Sequence, residues 1–152
     1  MRYFDLHCDT LSKCDEDGGS LCRNPYAVSF ERGRFLDRYL QFFAVFCPDD
    51  LQGEDAMALF DRQQACFAAS VRENPYPQIT PLLSVENGRI LGGKLSHLET
   101  LARKGVRMMS LTWNGENELG YGCVPGGGLK PFGKEVVRLM ADMGLVVDIS
   151  HL

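Results

Sequence analysis

Alternation constrains this chain more than any other feature of it. Five short apolar runs, Tyr3–His7, Tyr39–Cys47, Ile79–Val85, Val106–Thr112 and Leu145–Ser150, are separated by stretches of a different rhythm. The runs are nearly continuous in apolar residues, the pattern of strands covered on both faces, as in parallel sheets. Between them, apolar residues recur every three or four positions. Glu54–Arg72 carries Met57, Phe60, Phe67 and Val71 on one stripe. Lys94–Arg103 carries Leu95, Leu98 and Leu101 or Ala102, and Phe132–Met143 carries Val136, Met140 and Met143, with Lys134, Glu135 and Arg138 outside the stripe. These spacings predict amphipathic helices. Gly105 and Gly144 stand just past two of them, where a left-handed residue closes a helix. Residues 8–38, polar and irregular around Gly18-Gly19 and Pro25, read as a long loop with room for a short helix.

Strands alternating with helices predict a parallel α/β sheet. Two architectures fit: a doubly wound sheet, or part of a (β/α)8 TIM-type barrel with its helices outside. A barrel takes about 250 residues. A chain of 152 residues with about five strands, ending just past a strand at His151-Leu152, therefore reads as the N-terminal portion of a single barrel domain, truncated at residue 152.

In both architectures chemistry collects at the C-terminal ends of the strands. The first strand runs into D-L-H-C-D-T, where His7 and Asp9 lie two residues apart. Residues i and i+2 of a strand share a face about 6–7 Å apart, so both side chains can serve one ion while Cys8 points away. The third strand ends S-V-E-N-G and supplies Glu86, which can bridge two ions. The fourth ends L-T-W-N-G-E-N, with Trp113 and Asn114 placed to line a substrate pocket. The fifth ends D-I-S-H and supplies His151, with Asp148 open to two readings, a group behind the ligands or a structural acceptor. Imidazole and carboxylate suit zinc and related divalent ions, and open sites of this kind are catalytic. His97 falls on the polar side of its helical pattern and reads as solvated. The segment G-Y-G-C-V-P-G-G-G-L lacks the G-K-S/T of a phosphate loop and reads as a flexible rim loop.

Composition narrows the partners. A net charge of −4, with no Lys/Arg cluster, argues against nucleic acid or an anionic membrane surface. No run of 18 apolar residues is present, so no membrane segment is expected. No long apolar leader core precedes the first strand, which places the protein in the cytoplasm unless a leader has been removed. Six cysteines at 8, 14, 22, 47, 66 and 123 form no C-x-x-C pair, and Cys47 and Cys66 sit in apolar segments, so reduced thiols are expected.

Five ordered blocks, D-L-H-C-D-T-L, S-V-E-N-G, L-T-W-N-G-E-N-E-L-G, G-L-K-P-F-G-K-E-V-V-R and V-V-D-I-S-H-L, span nearly the whole chain. Together they resemble the renal (membrane) dipeptidases, the M19 zinc metallopeptidases among the amidohydrolase-type barrels. The resemblance implies two zinc ions: His7 and Asp9 on one, Glu86 bridging, His151 on the second. It implies cleavage of a dipeptide amide by a hydroxide held between the metals, with Glu86 counted in the catalytic centre. Two departures stand out. The family's dipeptidases carry T-H-N where this chain has Thr112-Trp113-Asn114. The family's other second-metal histidine, a substrate-binding arginine and a proton-handling aspartate lie beyond residue 152, so the isolated chain is expected to be inactive. The alternatives are the same metal barrel acting on a lactone, cyclic amide or phosphoester, or a non-catalytic truncated member. A half-barrel with open edges is expected to pair with a second copy, as a homo-oligomer, or with its missing C-terminal half.

Overall fold

A computed structural model describes residues 1–152. The elements in chain order are β1 (Arg2–Asp5), α1 (Thr10–Asp17), α2 (Phe30–Gly33), β2 (Arg38–Phe46), α3 (Gly53–Arg72), β3 (Ile79–Glu86), a 3-10 turn (Gly88–Leu91), α4 (Leu95–Arg103), β4 (Val106–Ser110), α5 (Pro131–Asp142) and β5 (Val146–Asp148). The strands follow one another in the sheet in chain order, β1-β2-β3-β4-β5. A doubly wound sheet reverses its strand order at a switch point; this order never reverses. The fold is therefore α/β of the barrel kind, with parallel neighbours joined by crossover helices. By density of contacts the chain divides into two compact units, Met1–Val45 with Phe60–Ser84 and Phe46–Leu59 with Val85–Leu152.

In the first unit β1 pairs in parallel with β2, Arg2 opposite Arg38 through Asp5 opposite Gln41. Tyr39 N donates to Gln78 O at 3.0 Å, just before β3. The core centres on Phe43, fully buried, with Phe30 edge-on at 5.8 Å and Phe67 at 6.3 Å between ring centres. The stretch expected to be mainly loop holds two helices. α1 is eight residues of mostly polar sequence, anchored by Leu11 and Cys14 one turn apart and stopped by Gly18 at φ 66°. Its single apolar turn is too little periodicity to register in a sequence. α2 is one turn, capped by Ser29 Oγ accepting from Arg32 N. The buried side of α3 also departs from the expected stripe. Val71 is exposed and Met57 half-buried, whereas Gln63 and Ser70 are buried. The reason is hydrogen bonding: Ser70 Oγ accepts from Leu21 N at 3.0 Å, and Gln63 Oε1 accepts from Ser12 Oγ at 3.4 Å.

In the second unit β4 pairs in parallel with β5, Met108 opposite Val146 and Ser110 opposite Asp148. Cys47 N donates to Glu86 O at 3.0 Å where β2 and β3 end. That bond has the same sequence offset as the Tyr39–Gln78 bond, the mark of parallel pairing. Leu98 and Leu101 of α4, and Val136 and Met140 of α5, are buried as their spacing predicts. Both helices end at left-handed glycines, Gly105 (φ 100°) and Gly144 (φ 68°). The glycine-rich segment before α5 is tied down by antiparallel bridges, Glu116 with Tyr121 and Gly120 with Leu129. Its glycines serve close approach: a Cβ at Gly122 would stand 2.0 Å from Trp113 O. No helix is long and apolar enough to cross a membrane.

Candidate metal centre

Each candidate ligand stands at or just past the C-terminal end of its strand. In the first unit, β1 stops at Asp5, whose Oδ1 accepts from His7 N at 3.2 Å. The chain still runs beside β2, because Cys8 O accepts from Ala44 N at 3.0 Å. The alternation therefore persists past the strand. His7 and Asp9 are exposed on one side, and Cys8 is half-buried on the other, its thiol pushed up to about 11 mainly by burial. His7 Nε2 lies 3.2 Å from Asp9 Oδ1. Asp9 occupies the N-cap position of α1, where an aspartate usually accepts from helix N–H groups. Here its side chain makes no such bond and turns to His7 instead. That hydrogen bond, with the attraction of the His7 charge, outweighs partial burial and holds the Asp9 carboxyl below its ordinary value.

In the second unit Glu86 closes β3, almost fully buried, and its Oε1 lies 3.2 Å from His151 Nε2. His151 follows β5 with a left-handed backbone, φ 66°. Three consecutive residues after β4 hold it. Thr112 Oγ1 donates to His151 O at 3.3 Å, the Trp113 ring lies 6.4 Å from the imidazole between centres, and Asn114 Oδ1 lies 3.0 Å from His151 Nδ1. Trp113 also meets Phe46 edge-on at 5.0 Å. Asp148 is a structural acceptor: its Oδ1 takes bonds from Ser150 N at 2.8 Å and Ser150 Oγ at 2.7 Å, which turns the chain into His151. His97 is half-buried rather than solvated, its Nδ1 without a hydrogen-bond partner.

One group of residues supports this rim without having announced itself in the sequence. Asn87, fully buried, uses all four of its side-chain valences. Nδ2 donates to Cys47 O and to Asp49 Oδ1, each at 2.9 Å, while Oδ1 accepts from Arg89 N at 3.2 Å and Asn117 Nδ2 at 2.9 Å. Asn117 in turn takes Leu119 N and Gly120 N on its Oδ1. The residue beside Glu86 is thus bonded to the ends of β2 and to the segment after β4. The Asn-Gly pair at 87–88 was the available signal, and it reads as an ordinary turn until both asparagines are known to be buried.

Two donors each about 2.1 Å from one tetrahedral ion stand roughly 3.4 Å apart. Both His–carboxylate pairs, at 3.2 Å, are close to that spacing. Imidazole and carboxylate are both donors to divalent ions.

The whole chain, residues 1–152, matches the family model of the membrane dipeptidases, peptidase family M19. The chain belongs to this family. Within it, the chain is 36% identical over 94 residues to dipeptidase aclJ of Aspergillus oryzae, a match covering 57% of this chain and 22% of that protein. Two solved structures of metallopeptidases, the first of them described as of family M19, superpose along its full length. One is dipeptidase AC, at a TM-score of 0.80 and 18% identity. The other is a metallopeptidase from Rhodobacter sphaeroides carrying a phosphinate mimic of the dipeptide L-Ala-D-Ala, at a TM-score of 0.81 and 17% identity. The chain spans 57% and 59% of those two chains, so it corresponds to rather more than half of such a dipeptidase.

Proposed function

We propose that the protein is a zinc-dependent dipeptidase and that residues 1–152 supply the first part of a single barrel domain. In this reading His7 and Asp9 hold one zinc, Glu86 bridges to a second, and His151 binds that second ion. The observation that carries it is the pairing of imidazole with carboxylate at 3.2 Å at two separate strand ends of an M19 family chain. Each pair joins an imidazole to a carboxylate, a donor set suited to a hard or borderline divalent ion. Zinc there would bring the pKa of a bound water toward neutrality and polarise the scissile carbonyl. The chain's own residues do the rest. Asp9, its carboxyl held below its ordinary value chiefly by the hydrogen bond with His7, offers an ionised oxygen at the first pair. Glu86, almost buried, turns its Oε1 toward His151 Nε2, so that the two can share one ion. Trp113 and Phe46 form an apolar wall beside His151 that keeps water from one side of the substrate.

A second reading keeps the metal centre and changes the bond broken, to a lactone, cyclic amide or phosphoester, since fold alone does not set the reaction. Trp113 favours it, because an indole offers an oxyanion less than the imidazole the family's dipeptidases place there. Metal analysis of the full-length protein, with hydrolysis assays on dipeptides, lactones and phosphoesters, decides between them. Zinc with dipeptide turnover is the expected result. Turnover of only the other substrates supports the second reading, and neither metal nor turnover refutes both. Further strands of the same barrel, or a second copy of the chain, would cover Tyr3, Phe4 and Leu6, which are 49–60% exposed. Light scattering reads that. Six free thiols fit a reducing, cytoplasmic setting.

A further inference from the structure

Asn114 presents a side-chain carbonyl to the far nitrogen of His151, and that contact carries information about the near one. The Asn114 Oδ1 atom receives two groups, His151 Nδ1 at 3.0 Å and the Cys123 thiol at 3.5 Å. A thiol is a weak donor and a weaker acceptor, so the amide turns its oxygen, not its NH2, toward this corner. An amide oxygen accepts only, so Nδ1 must carry a hydrogen. In a neutral imidazole the other nitrogen, Nε2, then holds a bare lone pair. That nitrogen faces Glu86 Oε1 at 3.2 Å, a spacing that fits a cation held between the two, whether a proton or a divalent metal ion.

We infer that Asn114 is a positioning residue, which fixes the His151 tautomer so that Nε2 is presented as a ligand to a divalent cation shared with Glu86. The inference rests on the metal reading above and adds a role that reading does not contain, in place of the direct substrate contact that strand position alone assigns to Asn114. The backbone of Asn114 is itself held for the task. Val124 N donates to Asn114 O at 3.1 Å and Gly122 N to Gly115 O at 2.9 Å, and only glycine fits at 122. On the other side, the Thr112 hydroxyl secures the His151 carbonyl in its left-handed conformation, so ring and acceptor cannot drift apart independently.

The test compares Asn114→Leu, similar in size with no acceptor, and Asn114→Asp, which accepts only, in the full-length protein loaded with cobalt(II). Divalent-metal affinity is measured by chelator competition, and thermal unfolding verifies that each variant is folded. Removing a group that orients a metal ligand typically lowers affinity about 10–100-fold. The expected result is that loss at one of the two ions for Asn114→Leu, with Asn114→Asp at or above the parent affinity. Proton NMR of the cobalt-loaded parent adds a measurement that needs no variant. A hyperfine-shifted, slowly exchanging imidazole N–H belonging to His151 is expected, and it should exchange faster in Asn114→Leu. Parental affinity in the leucine variant, equal losses in both variants, or no such N–H in the parent overturns the inference. A parent protein that binds no divalent ion overturns the metal reading first and this inference with it, and the parent titration separates the two failures.

Discussion

Replacing Asn87 with alanine tests whether the rim is held by the buried asparagine pair. The side chain makes four hydrogen bonds, one of them to the Asp49 carboxylate, and all lie within one compact unit. Truncation leaves the Cys47 carbonyl and one Asn117 amide hydrogen without their partner in a buried place, at about 1–3 kcal/mol each. The backbone adds a separate penalty. Asn87 has φ 81°, which asparagine tolerates and alanine resists by about 1 kcal/mol. The expected loss is about 4 kcal/mol, a large share of the roughly 5–15 kcal/mol by which domains are stable. Urea unfolding at equilibrium reads it as a lower midpoint with an unchanged slope. Asn87→Gly separates the two contributions: it loses the same bonds but accepts φ 81°, so it should be about 1 kcal/mol less destabilised than the alanine variant. An alanine variant within 1 kcal/mol of the parent, or a glycine variant worse than the alanine one, would refute the reasoning.

Asp9→Ala removes a proposed ligand outright, so zinc affinity should fall by on the order of 100-fold or more, read as metal content after dialysis against a weak chelator. Unchanged content would exclude Asp9 as a ligand. The Cys14 and Cys47 thiols are pushed up to about 11, mainly by burial, from an ordinary value of 9.0. Between about pH 9 and 11 the unfolded chain therefore releases protons that the folded chain retains. Stability is fully present below pH 9 and should fall as pH rises through that window. The fall should be shallower in a Cys14→Ala/Cys47→Ala variant, measured as urea midpoint against pH. Trp113→Ala strips the wall beside His151 and the edge-on contact with Phe46, so KM for dipeptides with large apolar side chains should rise about fivefold, with kcat changed less. Equal effects on glycine-only substrates would remove Trp113 from the specificity surface.

What the sequence shows of this fold is set by the length of each signal. β2, expected over 39–47 and found at Arg38–Phe46, is a long run covered on both faces, and such runs survive any context. Strand ends are less visible. His7, Thr112 and Ser150 all fall inside expected strands but lie beyond β1, β4 and β5, because side chains such as Asp5 and Asp148 bend the backbone where the ladder stops. α1 hides because one apolar turn is not a period, and the α3 stripe misleads because polar Gln63 and Ser70 answer a facing loop that no local pattern describes. The same divide runs through the site. The His7–Asp9 pair is legible, since strand alternation alone places two residues on one side. The His151–Asn114 contact is not, since it joins residues 37 apart in sequence through the pairing of β4 with β5.

That second contact bears on how a substrate would be recognised. Residues 112–114 are the part of the β4 end where the family's dipeptidases place a polar ring. In this chain all three already serve His151: a hydroxyl on its carbonyl, an aromatic face beside its ring and a carbonyl on its Nδ1. With Asn114 engaged behind the imidazole, the side chain this segment leaves for a ligand is the indole, backed by Phe46. An aromatic pair attracts apolar groups and offers little to a carboxylate or an oxyanion. In the proposed dipeptidase, this rim would therefore sort substrates by side chain, a task separate from the one His151 and Glu86 would have as metal ligands. Exchanging Trp113 for histidine separates those tasks. If the segment acts as argued, Trp113→His should lower selectivity for large apolar side chains while metal affinity stays at the parent value, since His151 keeps both Thr112 and Asn114. A Trp113→His variant that loses metal instead would mean that the indole, and not the two polar neighbours, is what holds His151 in place.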